Sequence, residues 1–205
     1  MERGLKDLPA RIARGALVLR EGGLVVYPTE TFYALGALAR LEGALARLFA
    51  AKRRPEGKSL PLVAADLAQV EAVAPLRGPL ARRLAARFWP GPLTLVLEAA
   101  PGLPGGLVAV DGTVAVRIPA SETARALALA AGGALVSTSA NLAGEPPPSR
   151  PEEISPSLLG AVDFVLEAGA TPGGRPSTLL AVRGETLRLV REGAVPLADI
   201  ERACK

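Results

Sequence analysis

The sequence of 205 residues predicts an α/β fold: a single domain over residues 1–205, with a twisted mixed β-sheet and flanking helices. Three observations carry this expectation. Segments with apolar residues at helical spacing alternate with short runs of β-formers along most of the chain. The last strand runs follow one another without helices between them, which makes the sheet mixed rather than all parallel. Hydrophobic residues make up 49% and charged residues 21%, a globular balance that can bury a sizeable core.

Leu8 to Arg20 reads as an amphipathic helix stopped by Gly22-Gly23. Leu24 to Tyr27 follows as a buried strand, which Pro28 ends by removing a backbone donor. Leu41 to Arg53 is a second helix closed by Pro55. Leu60 to Ala64 is a short strand, and Asp66 to Val73 and Leu80 to Phe88 are further helices. "TLVLEA" and "TVAVRI" read as strands, Glu122 to Ala131 as a helix and "ALVSTS" as another strand. Beyond the Pro- and Gly-rich loop "NLAGEPPPSRP" come strands at Phe164 to Leu166, Thr178 to Val182 and Leu187 to Val190, then a helix from Leu197.

The composition excludes several chemistries. With no histidine in the chain, Ser-His and Cys-His nucleophile systems, His-ligated zinc and imidazole acid/base catalysis are all absent. The net charge of +4 comes mostly from arginine and favours an anionic partner, a phosphate-bearing molecule or a nucleic acid. A lone Cys204 forms no internal disulfide and fits a reducing compartment. No apolar run approaches the roughly 18 residues of a membrane helix. The N-terminal "MERGLKDLPARIARG" carries acids and no apolar core of a signal peptide, so a cytoplasmic protein without a membrane partner is expected.

Several stretches carry candidate chemistry. In "LVVYPTETFYALG" the cluster Thr29, Glu30, Thr31 stands at a strand end, where α/β sheets bind ligands; the alternative is a helix start capped by Thr29. "AKRRPEGKS" is not a P-loop, because Lys52 stands where that pattern needs glycine. Lys52, Arg53 and Arg54 read either as dipole complements at a helix C-terminus or as an anion cradle. "LVSTSANLAG" delivers Ser137, Thr138, Ser139 and Asn141 to a strand end, a set of donors suited to phosphate or carboxylate, or else a hydroxyl-stabilised turn. "TVAVRIP" ends an apolar strand in Arg117, with Thr113 on the same face; an internal salt bridge is the plain alternative. "GGRPST" offers Arg175, Ser177 and Thr178. Arg188 and Arg191 of "LRLVREG" share a strand face only if a bulge intervenes.

Taken in order, "YPTETFYALG", "KRRP" with "LPLV", "FWPGPLTLVL", "VRIP", "STSANLAGEPPPS", "PST" and "REG" resemble the YrdC-like family of L-threonylcarbamoyladenylate synthases, over about Gly22 to Gly193. The resemblance implies a YrdC-like domain with a concave basic ligand cleft. It also implies a nucleotidyltransferase that joins L-threonine, bicarbonate or CO2 and ATP into threonylcarbamoyl-AMP and pyrophosphate, with Mg2+ carried on the phosphates. Its product would pass to a tRNA-modifying threonylcarbamoyl transferase complex that makes N6-threonylcarbamoyladenosine at position 37, and tRNA itself would bind weakly.

Residue by residue, the family's Lys-x-Arg and Ser-x-Asn look like Lys52 and Arg54 with Ser139 and Asn141, the expected catalytic set. Thr29, Thr31, Arg117, Ser137 and Ser177 are expected to hold threonine. Lys52, Arg54, Thr113, Ser139, Asn141 and Arg191 are expected to hold ATP, and no residue is assigned to a resident metal. The family's usual Tyr-Gly-Leu-Gly is Tyr33-Ala34-Leu35-Gly36 here, so an alanine stands where a positive φ would strain it. Two rivals remain at this point: an RNA-binding module, against which stands an aromatic content of only 3%, and a paralogue making a different carbamoyl adenylate or none.

Overall fold

The computed structural model describes residues 7–53 and 60–204. Among them, ten strands divide between two mixed sheets. A hairpin of β1 (Val25–Pro28) and β2 (Tyr33–Gly36) pairs Tyr27 with Ala34. Strand β7 (Thr138–Ser139) adds to β2, and β8 (Phe164–Val165) lies parallel to β1, giving the order β7-β2-β1-β8. The larger sheet centres on β4 (Leu93–Glu98) and β5 (Thr113–Arg117). Strands β3 (Leu62–Val63) and β6 (Leu135–Val136) flank β5, and β9 (Thr178–Arg183) and β10 (Thr186–Arg191) flank β4, in the order β10-β9-β4-β5-β3-β6.

Three segments differ from expectation in ways that shape the site, the first being strand β2 at Tyr33–Gly36, which was not foreseen. "ALVSTS" is not one strand: Leu135–Val136 belongs to the larger sheet and Thr138–Ser139 to the smaller, with Ser137 as the joint. Backbone bonds from Val136 N to Ala37 O and from Ser137 N to Pro61 O hold the crossing. No helix starts at Thr29 either. Its Oγ1 accepts from Thr31 N and Phe32 N and donates to Phe32 O, and Thr29 N also donates to Phe32 O. These bonds close the tight turn of the β1–β2 hairpin, so the hydroxyl that suits an N-cap serves a local turn instead.

Helices α1 (Leu8–Arg20) and α5 (Glu122–Ala131) match expectation residue for residue. Ser121 Oγ caps α5 by accepting from Ala124 N, and Gly132 ends it at a φ of 77°. Helices α2 (Glu42–Ala51), α3 (Leu67–Val73), α4 (Pro79–Phe88) and α7 (Leu197–Cys204) follow the periodicity, and the single turn α6 (Pro156–Leu159) lies in a stretch for which the sequence predicts no element. The apolar residues form two cores. One joins the sheets through Val26, Leu35, Leu62, Leu95 and Val116. The other lies beneath α1 and α5, around Leu19, Val25, Tyr27, Leu127 and Leu135.

Two polar anchors hold distant segments together. Asp163, before β8, accepts from Leu24 N at 2.7 Å and from Arg47 Nη2 of α2 at 2.9 Å. At the other end of the molecule, Thr178 Oγ1 donates to Val195 O and accepts from Gly193 N and Val195 N. Gly193 lies so close to the start of β9 that a Cβ there would stand 2.1 Å from Pro176 O and 2.6 Å from Thr178 N.

Gly193→Ala has only main chain to push against, so it is expected to cost about 3 kcal/mol of stability in chemical denaturation. For Asp163, burial opposes ionisation, but the Arg47 guanidinium and the Leu24 N–H together hold the carboxyl below its ordinary value. Its contribution is therefore present above that ordinary value and lost as pH falls through the depressed one. Asp163→Asn should lower stability at neutral pH by about 1 kcal/mol, a figure kept small by solvent screening of a half-exposed pair. Melting curves of the two proteins should draw together only as pH falls from about 4 through the depressed value.

Candidate active site

The carboxyl ends of β1, β5 and β6 and the start of β9 converge on a cavity of about 640 Å³ between the two sheets. From the hairpin turn come Thr29 and Thr31, their hydroxyls 3.1 Å apart and both residues buried. From the end of β5 comes Arg117, also buried, with its Nε donating to Glu30 Oε1 at 3.2 Å. This ion pair is nearly enclosed, at 6% and 13% side-chain exposure. The salt bridge foreseen as an alternative for Arg117 thus exists, and the same arginine also lines the cavity. The pair engages Nε, so the guanidinium reaches the cavity with its charge partly balanced from behind.

The crossing at Ser137 supplies the next wall. Ser137, Thr138 and Ser139 all line the cavity. Ser139 Oγ donates to Asn141 Oδ1 at 2.5 Å, and Asn141 Nδ2 donates to Glu145 O. Lys52, just past the end of α2, is buried; its Nζ donates to Ser139 O at 2.5 Å, Asn141 O at 2.8 Å and Asn141 Oδ1 at 3.4 Å. An ammonium held among oxygens of one turn fixes that turn, so Lys52, Ser139 and Asn141 form one hydrogen-bonded unit behind the cavity wall. Next to Lys52, Arg53 takes a φ of 49°, the sole positive value at a non-glycine residue among those described. Arg54, expected beside Lys52, lies outside the described residues.

The third wall comes from the last strands. Ser177 and Arg191 line the cavity, and Arg191 Nη2 donates to Ser177 O at 2.8 Å. Strand β10 contains a bulge, the condition for its two arginines to share a face: Leu189 pairs with Leu180 and Arg191 with Leu179, which brings Arg188 and Arg191 onto one face. Burial, and then the charge of nearby Arg117, both lower the Arg191 guanidinium from its ordinary value. Both effects penalise an uncompensated cation, so an anion in the cavity relieves both.

Among the expected residues that are described, Lys52 and Asn141 stand behind this cavity rather than lining it, and Thr113 lies apart from it. It lies toward the other end of β5, where its Oγ1 donates to Asp111 Oδ1 and it lines two adjoining cavities with Asp111 and Arg183. Thr113 and Arg117 are on one face of the strand, about 13 Å apart, a span that an extended ligand could bridge. Ala34 carries no strain. It is an extended residue of β2, paired with Tyr27 and Ser139, and its methyl lines the cavity.

Phe32, Pro61 and Leu179 also line the cavity and were not anticipated. Nor was the phenol of Tyr33, which donates to Gly169 O at 2.6 Å and so ties the 168–169 segment to β2. Leu179 was legible in principle as two residues from Ser177 on one strand face; Pro61 and the Tyr33 contact depend on pairings between segments far apart in sequence. Burial pushes up the phenols of both Tyr27 and Tyr33, so neither provides a base near neutral pH. Among the described residues no group of three or more acidic or thiol side chains is placed to hold a metal.

Comparison with known proteins bears on the family and the fold. The Sua5/YciO/YrdC family model, described as telomere recombination, matches residues 17–193. A protein of Pyrococcus abyssi named threonylcarbamoyl-AMP synthase is 38% identical over 97% of this chain, which spans 58% of that protein's length. A protein of the same name from Stenotrophomonas maltophilia is 43% identical, over 83% of this chain and 93% of its own. The crystal structure of P. abyssi Sua5 complexed with L-threonine superposes with a TM-score of 0.90 at 37% identity, covering 95% of this chain and 57% of that one. Matched over most of its length and sharing both sequence and fold with these relatives, the chain belongs to the Sua5/YciO/YrdC family.

Proposed function

We propose that this protein forms L-threonylcarbamoyl-AMP and pyrophosphate from L-threonine, bicarbonate or CO2 and ATP. The observation that carries this reading is the meeting, on one cavity, of hydroxyls from Thr29, Thr31, Ser137, Ser139 and Ser177 with the guanidiniums of Arg117 and Arg191. In this reading Arg117 and Ser177 take the threonine carboxylate, while Thr29, Thr31 and Ser137 surround the rest of the amino acid. Arg191, Ser139 and the Lys52–Asn141 unit face the triphosphate, with Arg54 as a further cation and Thr113 at the far end of the nucleotide.

The threonine amine captures CO2 as a carbamate, and a carbamate oxygen attacks the α-phosphorus as pyrophosphate leaves. Such a reaction asks the protein to align three reactants and neutralise developing negative charge, which is what fixed hydroxyls and arginines supply. Magnesium would arrive on the triphosphate as part of the substrate, since a hard cation bound through phosphates needs few protein ligands. The product then goes to a tRNA-modifying threonylcarbamoyl transferase complex, and tRNA contacts this protein weakly.

Pyrophosphate release from ATP should require both threonine and bicarbonate, and should fall by on the order of 100-fold in Lys52→Ala and Ser139→Ala. Release that ignores threonine, in folded protein, would remove this reading. Salt-sensitive RNA binding without ATP turnover would favour an RNA-binding role instead.

A further inference from the structure

Strand β4 carries a buried polar side chain that the reading above leaves unused. Thr94 is fully buried, at the point where β4 is flanked on both sides by cavity-lining strands. Leu95 pairs with Val116 of β5, so one step along that register sets Thr94 across from Arg117. On its other side Thr94 pairs with Leu179 of β9, two residues beyond Ser177. Its Oγ1 donates to Ser177 Oγ at 2.9 Å.

A serine hydroxyl has one proton and two lone pairs. With a lone pair engaged by Thr94, the proton of Ser177 is left to point at the cavity, and donation along a chain of hydroxyls strengthens each member. Ser177 is held from the main-chain side as well, through Arg191 Nη2 on its carbonyl. The neighbouring Arg117 can only donate. The floor between β5 and β9 therefore presents donors on both sides.

We propose that Thr94 is a positioning residue: by donating to Ser177 it fixes that serine as a proton donor. The Ser177–Arg117 pair thereby selects a ligand group that only accepts, the carboxylate of the amino acid, over a neutral group that also donates. This inference rests on the amino-acid reading of the cavity. It adds a residue that touches no ligand and a reason for discrimination between a carboxylate and its amide.

The test measures binding of L-threonine and of L-threoninamide by calorimetry to the whole protein and to Thr94→Val, Thr94→Ser and Ser177→Ala, with ATP affinity and melting temperature in parallel. Thr94→Val keeps the shape and loses the donor. It should weaken L-threonine binding about fivefold to tenfold and narrow the preference for threonine over its amide, with ATP affinity unchanged. Thr94→Ser, which retains the donor, should restore both quantities to within about twofold. Wild-type affinity and preference in a folded Thr94→Val, while Ser177→Ala loses both, would overturn the role of Thr94 alone. Unchanged threonine binding in Ser177→Ala would instead overturn the amino-acid reading on which it rests. A Thr94→Val that melts early with Thr94→Ser equally impaired in affinity would mark Thr94 as packing only and sink the proposal.

Discussion

The site depends on a chain crossing. Between Val136 and Thr138 the backbone leaves one sheet and enters the other, and Ser137 occupies the step. Neither sheet alone could form the cavity, because the smaller supplies the Thr29 turn and Ser139 while the larger supplies Arg117, Ser177 and Arg191. The crossing is held by main-chain bonds to Ala37 and Pro61 and by the Lys52 ammonium on Ser139 and Asn141. A buried cation bound to carbonyls of a turn thus does for the backbone what a strand partner would do elsewhere.

The absence of histidine shapes the chemistry built on that frame. The polar side chains that line the cavity are hydroxyls and guanidiniums. Their use is orientation. Thr29 closes its own turn, Ser139 and Asn141 hold each other, and Glu30 restrains Arg117. Each of these bonds limits the reorganisation that binding would otherwise require, and low reorganisation is the basis of electrostatic catalysis.

Much of this was legible in the sequence where the cause was local. The apolar spacing of α1 and α5 follows from side-chain chemistry within a few residues, whereas the bulge in β10 was only the condition on which Arg188 and Arg191 could share a face. The ordered motifs also indicated Thr29, Thr31, Arg117, Ser137, Ser139, Ser177 and Arg191, which do share one cavity. What was not legible arises from tertiary pairing. "ALVSTS" has the pattern of one strand, and nothing within it shows that its halves pair with β3 and β2 in different sheets. Thr29 has the right side chain for a helix cap, and only the hairpin partner Tyr33–Gly36 decides that it closes a turn. Thr94 reads as an ordinary strand threonine until β9 is seen beside it.

Because the cavity walls come from segments near both ends of the chain, no contiguous fragment holds a complete set of its donors. A molecule that enters this cavity can recognise only the finished fold, and by mass action it must then hold that fold closed. At a concentration of about 100 times its dissociation constant, such a ligand adds about 2.7 kcal/mol to the unfolding free energy. If the proposed reading of the cavity holds, the supply of its substrates would thus bear on the stability of the fold.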